Sequence, residues 1–284
     1  MKLSLCIATY NEEKNIHYPL DSAIDIVDEV VLVDGGSTDK TVEIAKSYGK
    51  KVRVIKSNNP PMFHQNKQKA IEAAKGEWIL QLDADEALSD ELKKEIVELL
   101  NGQIFNKEKK DNNLTLKQFN NSDFAAFWIP RKNWFLTRFL TKGGAYPDYT
   151  IRLYKNGVAR FPCRDVHENV EIINQKSKIK NQKLLIGYLK NPILHYADPD
   201  FSRYLMRWDR YTTLEIQNPK FKLQNEKKNQ ILMFFEFMIW KPVTTFFSMY
   251  LRHLGFLDGF AGFVFALFSS IRFWVIYVKF KSQN

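Results

Sequence analysis

The sequence predicts an α/β protein built on a parallel sheet, and three observations predict it. Strand-like and helix-like patterns alternate through the first hundred residues, glycines and capping side chains punctuate them, and every strand ends in a polar run. The strand patterns lie at Leu3 to Ala8, Glu29 to Val33, Lys51 to Ile55 and Glu77 to Leu82. Helical patterns lie around 15–27, 39–49, 65–75 and 89–100. Gly35-Gly36-Ser37-Thr38-Asp39 supplies a tight turn and capping side chains after the second strand, and Gly76 ends the third helix. Ligands of open α/β sheets gather beyond the carboxyl ends of the strands. Those ends read TYNEE, DGGSTD, KSNNPP and DADE.

Residues 106–122 are polar and rich in Asn and Lys, which predicts a mobile surface insertion. Strand character returns at Phe124 to Ile129 and Thr150 to Tyr154, and the segment between, with Gly143-Gly144, Pro147 and many aromatics, suits loops lining a cleft. The expected organisation is one domain over 1–225, split by the insertion into halves 1–105 and 123–225, then a helical tail over 226–284. In that tail Glu236, Lys241, Arg252, Asp258 and Arg272 interrupt the apolar sequence. Its longest uncharged stretch, Gly259 to Ile271, is shorter than the ~20 residues that cross a bilayer. The tail is therefore predicted to form amphipathic helices lying in a membrane interface, with Trp240, Trp274 and cations at headgroup level. The competing use of such a surface is a homodimer contact or core packing.

A chain of 284 residues, 45% hydrophobic, can bury a sizeable core and is not disordered. Of its net charge of +10, residues 201–284 carry +7, from 12 Lys and Arg against 5 Asp and Glu. Positive charge that travels with Phe, Trp, Leu and Ile points to an anionic membrane surface and disfavours nucleic acid. Cys6 and Cys163 stand far apart without metal-type spacing and read as reduced thiols of a cytoplasmic protein. The N-terminus reads as a first strand and not as a signal peptide.

The chemistry concentrates where Trp78-Ile79-Leu80 runs into Asp83, Asp85 and Glu86. On an extended segment, residues two apart face one side, so Asp83 and Asp85 repel each other unless a cation intervenes. Mg²⁺ or Mn²⁺ takes one or two carboxylates and completes its shell with phosphate and water, so this turn suits a metal–diphosphate site. A hydrated turn is the plainer alternative, with Glu86 favouring the N-terminus of the next helix.

Three ordered motifs, LCIATYNEEKNI at 5–16, VDEVVLVDGGSTDKTVEIAKSYG at 27–49 and KGEWILQLDADE at 75–86, carry a resemblance to the inverting family 2 glycosyltransferases. These share the GT-A fold, a Rossmann-like nucleotide-diphospho-sugar transferase fold with a mixed central sheet. The resemblance implies that Thr9, Tyr10, Asn11, Glu12 and Asp34 meet the nucleotide, with Lys67, Asp83 and Ala84 nearby. It also implies that Asp83 and Asp85 bind the metal. Where the family commonly has a second acid after Asp34, this chain has Gly35.

The second half resembles the lipopolysaccharide core branch of that family, through FWIPRKNWFLTRFL at 127–140, GGAYPDYTIRLYKNG at 143–157, CRDVHENVE at 163–171, NPILHYADPDFSRYLMRWDRYTTLE at 191–215 and GFLDGFAG at 255–262. Ala145 stands where the branch often has Trp. The implied activity moves glucose or a related hexose from a UDP-sugar to a lipid-linked saccharide, at the cytoplasmic face of the membrane. Glu168 takes the place of the general base, with His167 orienting it; Asp165 and Asp148 are rivals. Tyr146, Asp148 and Arg152 are expected at the acceptor, Arg152 having a structural ion pair as its alternative. His195 suits either a metal shell or a satisfied buried position. Arg203, Arg207 and Arg210 share a helix face that suits lipid phosphates or solvent. Two further readings are transfer to polyprenyl phosphate and a non-catalytic, membrane-binding scaffold.

Overall fold

The computed structural model describes residues 2–102, 105–110, 113–118, 124–163, 170–173, 185–226 and 228–283, with 105–118 described by backbone alone. In chain order the first elements are β1 (Leu3–Thr9), α1 (His17–Ala23), β2 (Glu29–Asp34), α2 (Thr41–Ser47), β3 (Val52–Lys56), α3 (His64–Ala73), β4 (Trp78–Gln81), β5 (Glu86–Leu88) and α4 (Asp90–Leu100). There follow β6 (Phe105–Lys110), β7 (Asn113–Gln118), β8 (Phe124–Phe135), β9 (Arg138–Phe139), β10 (Asp148–Lys155), β11 (Ala159–Arg160), β12 (Glu171–Ile172), β13 (Leu185–Tyr188) and β14 (Ile193–Asp198). The chain ends in α5 (Phe201–Gln217), α6 (Pro219–Asn225), α7 (Gln230–Phe235), α8 (Lys241–Phe247) and α9 (Gly259–Ser282). It divides into two compact units: Met1–Arg131 with Tyr149–His195, and Lys132–Asp148 with Tyr196–Asn284.

In the first unit the sheet order is β3-β2-β1-β4-β10-β8-β14-β5, with β13 beside β8. β1 pairs in parallel with β2 and β4, and β2 with β3, whereas β10 and β5 enter antiparallel to β4 and β14. The sheet is buried on both faces, so its central strands are continuous apolar runs. Leu3, Leu5, Ile7, Trp78, Leu80 and Phe127 pack on one face, and Cys6, Val31, Val33, Ile79 and Tyr154 on the other. α4 starts at Asp90 because the Ser89 hydroxyl accepts the Leu92 N–H at 3.1 Å, while Asp90 and Glu91 favour the positive end of the helix dipole. Gly76 serves a different purpose from the helix stop expected of it. A Cβ there would collide with Ser4, whose hydroxyl accepts the Gly76 N–H at 2.7 Å. The segment predicted as an irregular insertion forms, in its described part, the antiparallel hairpin β6–β7 in register Phe105↔Gln118 to Lys110↔Asn113. Alternation such as Leu114-Thr115-Leu116 is the strand signal that the polar composition masks.

In the second unit α5 belongs with the tail. Tyr204 packs with Phe135, Leu140, Ala261 and Val264; Ile216 packs with Met233, Phe237, Ile276 and Phe280. Trp208 Nε1 donates to the Phe268 carbonyl at 3.1 Å, and Lys279 Nζ donates to Asp209 Oδ1, Thr212 and Thr213 at 2.6–2.9 Å. Arg207, expected on a free basic face, donates to Ala197 and Asp198.

From Gln230 to Arg252 the helix is continuous, with π-helical turns at Glu236–Trp240 and Ser248–Arg252. This stretch and Gly255–Ser282 are 23 and 28 residues long, and are long and apolar enough to cross a membrane by length and composition. The tail is thus less interrupted than its charges suggest, because Glu236 is paired with Lys228 at 2.7 Å and Lys241 at 3.0 Å. Ile231, Phe235, Ile239, Val243, Phe247 and Leu251 recur every fourth residue, each 48–68% exposed. In a pure α-helix each step of four overshoots a turn by ~40°, which would carry the last of them to the opposite face. A π turn, with about 4.4 residues, undershoots by a comparable angle, so the two π turns offset more than half of that drift and keep the six side chains on one side of the helix. A π turn also frees a carbonyl: Met238 O accepts from Trp274 Nε1 at 2.8 Å.

Candidate active site

Thr9, Asp34 and Asp83 stand at one edge of the sheet, because β1, β2 and β4 are parallel with Thr9 opposite Asp34 and Cys6 opposite Gln81. Asp34 is buried, and its carboxylate is filled by its own loop. Oδ2 accepts Gly36 N–H and Ser37 N–H at 3.0 Å, and Oδ1 accepts the Ser37 hydroxyl at 2.6 Å and that of Thr9 at 3.5 Å. Asn11, at φ +55°, stitches the two loops together: its Oδ1 accepts Thr38 N–H and its own N–H donates to Ser37 Oγ, both at 2.8 Å. Glu12 N–H donates to Thr41 Oγ1 and its carboxylate accepts from Asn15, while Tyr10 is exposed. Gly36 needs its freedom at φ +89°. At Gly35 the requirement is space, since a Cβ would lie 3.3 Å from Thr9 O and 3.4 Å from Asn59. The missing second acid therefore coincides with a place where the β3–α3 loop closes on the turn.

The acidic turn is neutralised by side chains. Asp83 Oδ1 meets Lys67 Nζ at 2.5 Å and accepts Gln81 Nε2 at 3.1 Å; Oδ2 meets Arg152 Nη2 at 2.8 Å. Glu86, fully buried, accepts from Arg152 at 2.9 Å and Arg131 at 3.2 Å, and its second oxygen accepts Asp83 N–H at 3.0 Å. Arg152 also donates to Gln81 Oε1, and its buried Nε has no partner among the described residues. Glu86 therefore begins a strand inside this network and does not serve the next helix. Burial alone would raise the Asp83 pKa, but the Arg152 and Lys67 charges outweigh it and hold the carboxyl well below its usual range. Burial pulls Lys67 down, opposed by Asp83, and Arg152 is held up by Asp83 and Glu86 against its own desolvation. Three carboxylates thus face Lys67, Arg131, Arg152 and the imidazole of His195, whose Nε2 is 3.6 Å from Asp85 Oδ1. Sequence reasoning singled out Asp83, Asp85, Lys67, Arg152 and His195 but missed Arg131 and Gln81. An arginine and a glutamine have no local signal of being buried next to carboxylates.

Ala84 is buried between the two aspartates. Tyr146 and Asp148 belong to the second unit, where Lys132 Nζ lies 5.5 Å from the Tyr146 ring centroid and Asn133 donates to Asp148 at 3.4 Å. Glu168, His167 and Asp165 lie outside the described residues. Cys6 and Cys163 form no disulfide, and burial pushes the Cys6 thiol pKa up. Among the described residues, no three His, Cys, Asp or Glu side chains converge as a ready-made metal cluster.

The family model described as "Glycosyl transferase family 2" matches residues 4–150. A protein of Rickettsia bellii (strain RML369-C) described as an uncharacterized glycosyltransferase is 30% identical over 269 residues, which is 93% of this chain and 80% of that protein. A Rickettsia typhi (strain ATCC VR-144 / Wilmington) protein of the same description is 43% identical over 96 residues, 34% of this chain and 32% of that one. Among solved structures, the mannosyltransferase of Pyrobaculum calidifontis in complex with GDP-Man and Mn²⁺ matches with a TM-score of 0.51 at 11% identity, covering all of this chain and 88% of that chain, a likeness of fold. With the nucleotide-sugar type of sheet, the polar strand ends and these matches together, the chain belongs to glycosyl transferase family 2.

Proposed function

We propose that this glycosyltransferase moves glucose or a related hexose from a UDP-sugar to a hydroxyl of a lipid-linked saccharide such as inner-core lipopolysaccharide, with inversion, at the cytoplasmic face of the membrane. The observation that carries the donor half is the Asp83–Asp85 turn, fixed by buried cations at the same sheet edge as the Asp34 loop. Thr9 to Glu12 and Asp34 flank the nucleotide. Lys67 and Arg152 offer the diphosphate positive charge in a place poor in water.

The donor set of Asp85 and His195 fits a divalent cation. A carboxylate oxygen and an imidazole nitrogen 3.6 Å apart are beyond a hydrogen bond, and that separation lies between the ~3.0 Å of adjacent and the ~4.2 Å of opposite ligands ~2.1 Å from one Mg²⁺ or Mn²⁺ ion. Asp83, whose two oxygens meet Lys67 and Arg152, joins Asp85 at the ion by giving up one of those partners, with His195 as a further ligand. When bound, the ion stabilises charge growing on the leaving diphosphate. The P. calidifontis mannosyltransferase was solved with ligands of this class, a nucleotide-sugar and Mn²⁺. Glu168, by its resemblance, takes the proton of the acceptor hydroxyl as its oxygen attacks the anomeric carbon opposite the diphosphate, and Tyr146 and Asp148 hold the acceptor.

The lipid half rests on the one-sided apolar stripe and on the +7 charge of residues 201–284. α5 supports an arrangement in which the helix pair lies along the interface. It packs along α9 from Ala261 to Phe280 while presenting Arg203, Asp209, Arg210 and Glu215, which hydrocarbon around a spanning pair would not accommodate.

A thermal-shift panel of UDP, GDP, ADP and CDP with and without Mn²⁺ tests the donor reading. A ligand at a hundred times its Kd adds about 2.7 kcal/mol, so the UDP shift should grow when Mn²⁺ is present. No metal-dependent shift with any nucleotide would overturn it. Glu168→Gln should abolish transfer while keeping the UDP shift; near-normal turnover would point instead to polyprenyl phosphate, an acceptor that needs no base.

A further inference from the structure

The GFLDGFAG segment alternates exposed apolar side chains with buried positions, Gly255, Asp258, Ala261 and Gly262. Asp258 is 1% exposed and stands at the N-cap of α9, where an aspartate ordinarily accepts N–H groups of its own helix. It makes no such bond. Its carboxylate turns instead to a loop more than a hundred residues earlier: Oδ2 accepts Thr141 N–H and Lys142 N–H at 2.8 Å, and Oδ1 accepts the Thr141 hydroxyl at 2.9 Å. Arg138 stands 3.9 Å away.

The glycines let the two segments meet. Gly143 N–H donates to His253 O at 2.9 Å; a Cβ on Gly255 would lie 2.7 Å from Met249 O and 3.4 Å from Gly143 Cα, and one on Gly262 would collide with Gly255 O. A buried carboxylate is costly unless hydrogen-bonded, and here its three hydrogen bonds come from residues 141–142, with the Arg138 charge beyond them. That loop leads directly to Tyr146 and Asp148. The turn it is tied to exposes Leu254, Phe256, Leu257 and Phe260, at the end of the apolar stripe.

We infer that Asp258 is a positioning residue that clamps the 139–148 acceptor loop to the lipid-facing turn of the helix pair, so that the acceptor head group is read while its lipid stays in the membrane. This rests on the lipid-linked acceptor proposed above. The saccharide is met at the height at which the membrane presents it, and a lipid-free saccharide gains nothing from the clamp.

The test compares transfer from radiolabelled UDP-glucose to rough lipopolysaccharide in phosphatidylethanolamine–phosphatidylglycerol vesicles with transfer to the core oligosaccharide released from that lipid. The readout is the ratio of the two kcat/KM values in the full chain, for wild type, Asp258→Asn and Thr141→Val. Thr141→Val removes one hydroxyl donor at nearly constant shape and guards against a variant that fails to fold. The clamp predicts a ratio well above one in wild type and a fall of about tenfold in Asp258→Asn, through KM for the vesicle-borne acceptor, with a smaller fall in Thr141→Val and the UDP thermal shift unchanged. A wild-type preference for vesicles that both variants retain, even with both rates lowered equally, would overturn the clamp alone. A wild type that transfers glucose equally well to both acceptors would overturn the lipid reading and the clamp with it.

Discussion

Asp34 and Asp83 occupy equivalent places, each at the carboxyl end of a parallel strand at one sheet edge, but Asp34 is satisfied by neutral N–H and O–H donors of its own loop and Asp83 by the charges of Lys67 and Arg152, carried in on α3 and β10. The first arrangement is mostly local, made within the DGGS turn with one long bond from the Thr9 hydroxyl, and loses its bonds one at a time. The second exists only when three distant segments have folded together, and losing one of its charges leaves the partners of that charge short of compensation. A turn held by neutral local donors degrades gradually; a buried charge network fails as a unit.

The largest effect should follow from Arg152→Met, which takes one of two cationic partners from each of Asp83 and Glu86. A cost of about 3–5 kcal/mol is expected, read as a lower urea midpoint, with an unchanged midpoint refuting the network. The same variant has a pH signature. Because the folded-state pKa of Asp83 is depressed, its contribution is present above the ordinary carboxylate value and is lost as pH falls through the folded value. Removing Arg152 raises the folded value, so acid unfolding should begin at a higher pH.

Lys67→Met should cost less, about 1–3 kcal/mol, since Arg152 still holds Asp83 and a poorly solvated ammonium is removed. It should also diminish the UDP thermal shift. Asp34→Ala should cost about 1–2 kcal/mol in the same melts, the scale of a lost capping side chain. Smallest is Gly35→Ala, at about 1 kcal/mol, because its Cβ needs only a small yield from Thr9 O and Asn59. A Gly35→Ala cost exceeding that of Arg152→Met would reverse the contrast.

The same contrast explains what could be read from sequence. β1 to β4 and α1 to α4 fall within a few residues of their predicted positions, because apolar period, Gly-Gly turns and the Ser89 cap are local signals. The Asp34 turn was legible for the same reason. The cations on the acidic turn were not: nothing near Arg131 or Arg152 announces the carboxylates they meet, and β5 exists only by pairing with β14, far along the chain. The β6–β7 hairpin was hidden by composition, and Asp258 looked like one more interruption of an apolar tail, since its partners lie beyond any local window.

Each π turn amounts to one surplus residue accommodated in an α-helix. Deleting a single residue from 236–240 should let regular geometry return with the downstream face nearly kept, because four α residues turn about as far as five π residues, whereas deleting one from the regular turns of α8 should swing everything downstream by ~100° about the axis. Phe247 and Leu251 would then leave the row begun by Ile231, and sedimentation with anionic vesicles should weaken, although the deletion removes scarcely any greasy surface. Such a shortened helix would separate how much oil a surface carries from how well that oil is aligned.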